Sequence, residues 1–286
     1  MNGLMTALRA ESYIALRSAG SRIAVLIPSL VVLAQLLVTR LGEAGEQARD
    51  ALLDSSPFGS DAPAVTAYGY LVDGLNTGLT VLVLILVVLS AHAFAYDRDT
   101  GLLRHLLIRR FSRQTVILAK LLQLHLVAAL ALLLLLLTTW FASGWLWEFG
   151  PVVEDGFELI GEEEIHAEIL LGLRLALLPF PAVIAFGMLV SVLTHSATQA
   201  VTTALGINLA LDIFKATLGD YAVYLYATFQ PALLDQSYLG EVGSLVRGFS
   251  DVLIDQQFLQ MNTLVPIPQM LILVLLSLWL VRRRPL

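Results

Sequence analysis

Solidly apolar runs separated by polar stretches set the pattern of this chain. Runs that approach or exceed roughly 18 residues read as bilayer spans. Six are predicted, at about residues 23–38, 75–95, 115–141, 169–193, 197–218 and 264–281. The first is short, with Pro28 near its start. The fourth holds Pro179-Phe180-Pro181, which is expected to kink it because proline removes a backbone donor. The runs do not alternate apolar with polar, which disfavours a β-barrel. Ahead of them, Leu4, Met5, Leu8, Ala15 and Leu16 share roughly one helical face, and Arg9, Arg17 and Arg22 lie mostly outside it. That pattern predicts an N-terminal interfacial helix over residues 1–22. The first span is expected to stay uncleaved, since Thr39-Arg40-Leu41 lacks a small-x-small site.

Composition agrees with this reading. The 286 residues are 57% hydrophobic and 14% charged, with mean hydropathy +0.79. Soluble domains carry nearer a quarter charged residues. The expectation is an all-α membrane protein forming a single transmembrane domain over 1–286, with no internal repeat. Cysteine is absent, so neither disulfides nor thiolate metal sites are available.

Charge then orients the spans. With six spans, both termini share one side. That side receives Arg9, Arg17, Arg22, Arg98, Arg104, Arg109, Arg110, Arg113, Lys120, Arg282, Arg283 and Arg284, twelve of the 17 basic residues. Of the 23 acidic residues it receives only Glu11, Asp97 and Asp99. By the positive-inside rule both termini are expected in the cytoplasm, with the chain in the cell's inner (plasma) membrane. The other side owns three connections. Residues 41–74 carry a possible short helix around Glu43–Leu53, residues 142–168 are acidic, and residues 219–263 are rich in tyrosine and phenylalanine. The last is too long for a plain turn and is expected to pack as short helices near the outer interface.

Candidate chemistry is sparse. The two lysines, Lys120 and Lys215, sit in Ala-Lys-Leu and Phe-Lys-Ala, so no Gly-Lys-Ser/Thr phosphate loop exists. Neither His-Glu-x-x-His nor Gly-x-Ser-x-Gly occurs. Glu162, Glu163, His166 and Glu168 resemble a metal cluster in composition, but they open a helix, where acids favour the positive end. No metal is expected. His92 and His125 lie in or near spans with nothing to pair them into a proton relay. Asp212 is the sharpest intramembrane feature, because an ionised Asp at a helix centre costs roughly 2.5–3.5 kcal/mol. It calls for Arg174 or Lys215 as a structural partner, or for a place on a polar substrate path.

Residues 97–120 are the one sizeable basic stretch between spans. Read as a helix starting near Thr100, they put Leu102, Leu103, Leu106 and Leu107 in one arc and Arg104, His105, Ile108 and Arg109 around it. Asp99 or Thr100 could cap that helix, and Ser112 could cap the next. Here the chain resembles the permease subunit of type-2 ABC exporters. The likeness lies in an amphipathic N-terminal helix, six spans, a long segment before the last span, and the span-two/span-three junction. At that junction stand Asp97/Asp99, Gly101-Leu102-Leu103, Leu106-Leu107, Ser112-Arg113 and Lys120-Leu121-Leu122. Asp stands where the family usually has Glu, and Arg110-Phe111 where Pro followed by an apolar residue is common.

The resemblance implies a subunit that is not itself an enzyme. Two identical or related protomers would form a translocation path. Gly101, Leu102, Leu103, Arg104, Leu106, Leu107 and Arg109 would dock on a cytoplasmic ABC ATPase that binds ATP and Mg. The chain itself would carry no cofactor and would bind no nucleic acid. The few charges in the spans point to a lipid, peptide or other amphipathic cargo, and the acidic outer segment leaves room for an outer partner. Two other classes stay open: an ATP-independent transporter or scaffold, and a membrane-embedded enzyme, which would need facing polar residues in the bilayer.

Overall fold

The computed structural model describes residues 2–53, 66–101, 112–154, 157–234, 237–248 and 255–283. They are mostly helical, with six helical segments long and apolar enough to cross a membrane. In chain order the elements are α1 (Asn2–Arg17), α2 (Ala19–Leu53), α3 (Ala67–Asp99) and α4 (Arg113–Leu146). A hairpin of β1 (Val152–Glu154) and β2 (Phe157–Ile160) follows. Then come α5 (Glu162–Leu177), α6 (Phe180–Leu193), α7 (Ala197–Phe214) and a 3-10 stretch over Lys215–Tyr224. The chain continues with α8 (Tyr226–Phe229), α9 (Tyr238–Leu245), α10 (Gln256–Leu264) and α11 (Pro266–Arg283).

The helices overrun the apolar runs that announce them. Thirty-three residues of α3 make a rod of about 50 Å, against about 30 Å of bilayer hydrocarbon. Apolarity marks only the middle of such a helix, while its polar ends continue the same hydrogen-bond ladder. For the same reason residues 43–53 form no separate helix; they are the last turns of α2. The N-terminal helix is shorter than the 1–22 expected. It stops at Arg17, and the chain re-enters a helix at Ala19. The fourth run is two helices, interrupted at Leu178-Pro179, where Pro179 and Pro181 remove two backbone donors. The fifth leaves the α-helix after Phe214. The last opens with α10, and α11 starts at Pro266. The hairpin is a departure from an all-α reading: β1 and β2 pair antiparallel inside the acidic 142–168 stretch.

α3 is the centre, packed against α2, α4, α6 and α7. The contact with α6 is the closest. A Cβ on Gly187 would come within 1.9 Å of Ser90 Oγ, so only glycine lets the two backbones approach, as in small-residue packing between membrane helices. Just beyond, Ser191 Oγ of α6 accepts from the backbone N–H of Phe94 at 3.1 Å and Ala95 at 2.9 Å. α2 and α4 close on the other side of α3, where a Cβ on Gly78 would collide with Leu135 and Val32.

The ends of the bundle differ in chemistry. One, called here the basic end, gathers α1, the start of α2, the last turn of α3, the start of α4, the α6–α7 turn and the last turn of α11. Gln114 and Arg282 line a common cavity there. The opposite, acidic end gathers Glu43, Asp73, Glu162 and Glu168, each held by an aromatic or arginine side chain. Tyr70 and Trp147 donate to Glu43, with Trp147 at 2.8 Å. Tyr68 donates to Glu162 at 3.4 Å, Tyr238 donates to Glu168, and Arg247 pairs with Asp73.

Candidate functional site

The basic end is built around the last turn of α3, Asp97-Arg98-Asp99. Two aspartates at a helix C-terminus face the negative end of the helix dipole, so each needs compensation. Asp99 finds it on another helix. Its Oδ2 accepts from the backbone N–H of Ala197 at 2.6 Å, at the positive start of α7. Asp99 thus bonds the start of α7, and Thr100 Oγ1 donates back to Tyr96 O at 2.9 Å; the helix expected to begin near Thr100 lies outside the described residues. Arg98 donates to the carbonyl of Thr194 at the end of α6. The turn between α6 and α7 is thus held from both sides by α3.

Asp97 finds Lys120, in the second turn of α4. Lys120 Nζ lies 2.6 Å from Asp97 Oδ2 and 3.1 Å from Glu11 Oε2 of α1. The Lys120 and Asp97 side chains are 7% exposed and that of Glu11 12%. Ions this deeply buried are tolerated only when paired. One ammonium answers two carboxylates, and the surplus shows at Glu11. Burial pushes its carboxyl above the ordinary 4.5; Lys120 opposes that rise and Asp97 adds to it. The packing face of α1 follows from this ion. Leu4, Ala7, Leu8, Glu11 and Ala15 turn inward, and Met5 and Leu16 are exposed. The stripe of Leu4, Met5, Leu8, Ala15 and Leu16 read from hydrophobicity is rotated, because Glu11 must reach Lys120.

α3 ends where Gly101 takes a positive φ of 72°, a conformation glycine adopts at little cost. α4 begins at Ser112, whose Oγ accepts from Thr115 N–H at 3.1 Å. These are the two rims of the basic stretch. Of the seven coupling residues, Gly101 stands on the first rim; Leu102, Leu103, Arg104, Leu106, Leu107 and Arg109 lie outside the described residues.

Toward the acidic end, α7 buries a stripe of Ala200, Ala204, Asn208, Asp212 and, one turn on, Lys215. Lys215 Nζ meets Asp212 Oδ1 at 2.9 Å, with both side chains 4% exposed. Asp212 Oδ2 also accepts from the backbone N–H of Leu233 and Leu234 at 3.0 and 3.4 Å. Asn208 Oδ1 accepts from Gln230 at 3.1 Å. The polar stripe thus anchors the returning chain at residues 230–234. Arg174 is exposed and forms no ion pair among the described residues.

The remaining polar candidates are held locally. His125 Nδ1 bonds to Leu121 O at 2.7 Å, and His92 stacks on Tyr96. His166 Nε2 meets Tyr68 OH at 3.1 Å. Among the described residues no group of three or more His, Cys, Asp or Glu is arranged to hold a metal ion. What the basic end can do is mechanical. It ties α1, α3, α4 and the α6–α7 turn together where α3 ends and α4 begins. Sequence reasoning missed Glu11, Lys120 and the Asp99–Ala197 contact as site features. The available signal was that one buried lysine and the only three acids of that end stand on its elements.

No curated protein matches the chain. A family model described as "Protein of unknown function (DUF2705)" matches residues 53–286, a segment that includes Asp97, Lys120, Asp212 and Lys215 and leaves out Glu11. With that match running over most of its length, the chain belongs to this family.

Proposed function

We propose that the chain is the transmembrane permease subunit of an ATP-binding-cassette transporter. It dimerises with an identical or related protomer and couples through residues 101–110 to a separate cytoplasmic ATPase, in the inner membrane with both termini in the cytoplasm. The cargo class is a lipid, peptide or other amphipathic molecule. The observation that carries the reading is the convergence at the basic end. The helices that flank the 102–111 stretch are tied to others, α3 through Asp97, Arg98 and Asp99 and α4 through Lys120, so a push on that stretch would pass to α1, α3, α4, α6 and α7 together. A plain connecting loop has no need of a buried Lys120 with two carboxylates, which costs desolvation. The missing phosphate loop fits a division of labour in which ATP is bound by another chain.

In this reading Leu102, Leu103, Leu106 and Leu107 fill a groove on the ATPase, and Arg104 and Arg109 meet its acidic rim. Buried apolar anchors supply most of the energy of such an interface. Leu106→Asp is therefore expected to abolish co-purification of the ATPase while membrane insertion and the melting temperature of the chain stay unchanged. Retained co-purification with full nucleotide-dependent transport in that variant rejects the coupling assignment.

A further inference from the structure

At the basic end, α1, the start of α2 and α4 enclose an open groove of about 430 Å³, within the size range of sites that hold small organic ligands. Its chemistry is graded along its length. Ser21 and the exposed Arg22 stand at the mouth, just past the break between α1 and α2, and Ser12 of α1 also lines the groove. Gln123 comes next, and then Val25, Leu126 and Leu130 run toward the middle of the bundle. Gln123 is 8% exposed, lines the groove, and has no side-chain hydrogen bond among the described residues. A carboxamide that opens onto an apolar groove without a partner is costly to dry, and a bound molecule can supply the missing hydrogen bond. Arg22 Nε donates to Leu16 O at 3.3 Å, which fixes the side chain across the mouth and leaves its terminal nitrogens to face an anion. Arg17, also exposed, stands at the same break.

We infer that this groove binds one molecule of an anionic glycerophospholipid. The headgroup phosphate sits on Arg22 and the serine hydroxyls, an ester carbonyl accepts from the Gln123 amide, and one acyl chain lies along Val25, Leu126 and Leu130. The order of groups in the groove is the order of groups in that lipid: anion, polar ester, hydrocarbon. A purely apolar occupant leaves Gln123 and Arg22 unanswered, and a free phosphate leaves the apolar floor empty. The site joins α1 to α2 and α4, so its occupant fills the gap beside the Glu11–Lys120 pair. The inference does not rest on the transport reading.

The test uses the full chain purified in detergent, stripped of lipid, and titrated with dioleoyl phosphatidylglycerol or dioleoyl phosphatidylcholine, with bound lipid counted by native mass spectrometry. The wild-type chain is expected to retain one phosphatidylglycerol about tenfold more tightly than phosphatidylcholine, the factor a charge-assisted hydrogen bond gives. Arg22→Glu should erase that preference, Gln123→Leu should weaken both lipids, and Leu126→Trp should expel them. Gln123→Leu replaces an unpaired amide with a similar-sized apolar side chain, so it keeps the fold and keeps the test decisive. Equal retention of the two lipids by the wild-type chain, or variants that bind as the wild type does, would overturn the site. So would Ala15→Cys, in this cysteine-free chain, forming a disulfide-linked dimer, which would place a second copy over the groove.

Discussion

Lys120 and Lys215, the two lysines of the chain, are both buried against aspartates, one toward each end of the bundle. Lys215 reaches Asp212 three residues back along the same run of chain. The helical repeat alone brings the two together, and the pair persists however the surrounding helices shift. Lys120 joins Asp97 of α3 and Glu11 of α1, the latter 109 positions away. That triad exists only while three separate helices hold their relative positions. One lysine anchors a local turn; the other registers the arrangement of the bundle beside the basic stretch. The first contact rests on one run of chain, and the second on the relative placement of α1, α3 and α4.

Three substitutions break or sharpen that contrast. The largest effect is expected from Lys120→Met, which leaves Asp97 and Glu11 buried with no cation. Removing one partner of a buried ion cluster costs about 3–5 kcal/mol, read as a large fall in melting temperature and loss of protection of α1 from hydrogen exchange. Lys215→Met should cost less, about 1–3 kcal/mol, because Asp212 keeps the Leu233 and Leu234 N–H donors. If Lys215→Met proves the more damaging of the two, the contrast between a local pair and a bundle-wide triad fails.

Glu11→Gln is the mildest, leaving stability within about 1 kcal/mol of wild type, since Lys120 keeps Asp97. Its signature lies in pH. Glu11 titrates above its ordinary 4.5 in the folded chain, so the folded state holds more protons than the unfolded state from 4.5 up to the raised value. Through that window the Glu11 contribution to stability is lost as pH rises and regained as pH falls. The difference in melting temperature between wild type and Glu11→Gln should therefore vary with pH in that sense. A pH-independent difference contradicts a buried, proton-hungry Glu11.

The legibility of these features in the sequence follows the same contrast. Spans were readable because a bilayer requires an apolar run, and the Asp212–Lys215 alternative was readable because three residues make less than one helical turn. Helix ends were not readable: α2 and α3 continue through polar residues that hydropathy assigns to loops. The Glu11–Lys120–Asp97 triad was invisible because periodicity carries no information about which distant helices meet. The rotation of α1 followed from the same gap, since a lone Glu on an amphipathic helix reads as solvent-facing until its lysine is known. The hairpin at 152–160 was hidden by its carboxylates. The contact of Asp99 with the start of α7 joins residues 98 positions apart, which no local pattern announces.

The central claim is that this chain transmits the work of an ATPase it does not itself contain. The most direct measurement is affinity purification of the tagged full chain from its own membranes in mild detergent, with mass-spectrometric identification of whatever co-elutes. The account predicts a phosphate-loop ATPase in near-stoichiometric amount, released by Leu106→Asp. A folded chain that purifies with no nucleotide-hydrolysing partner would contradict it.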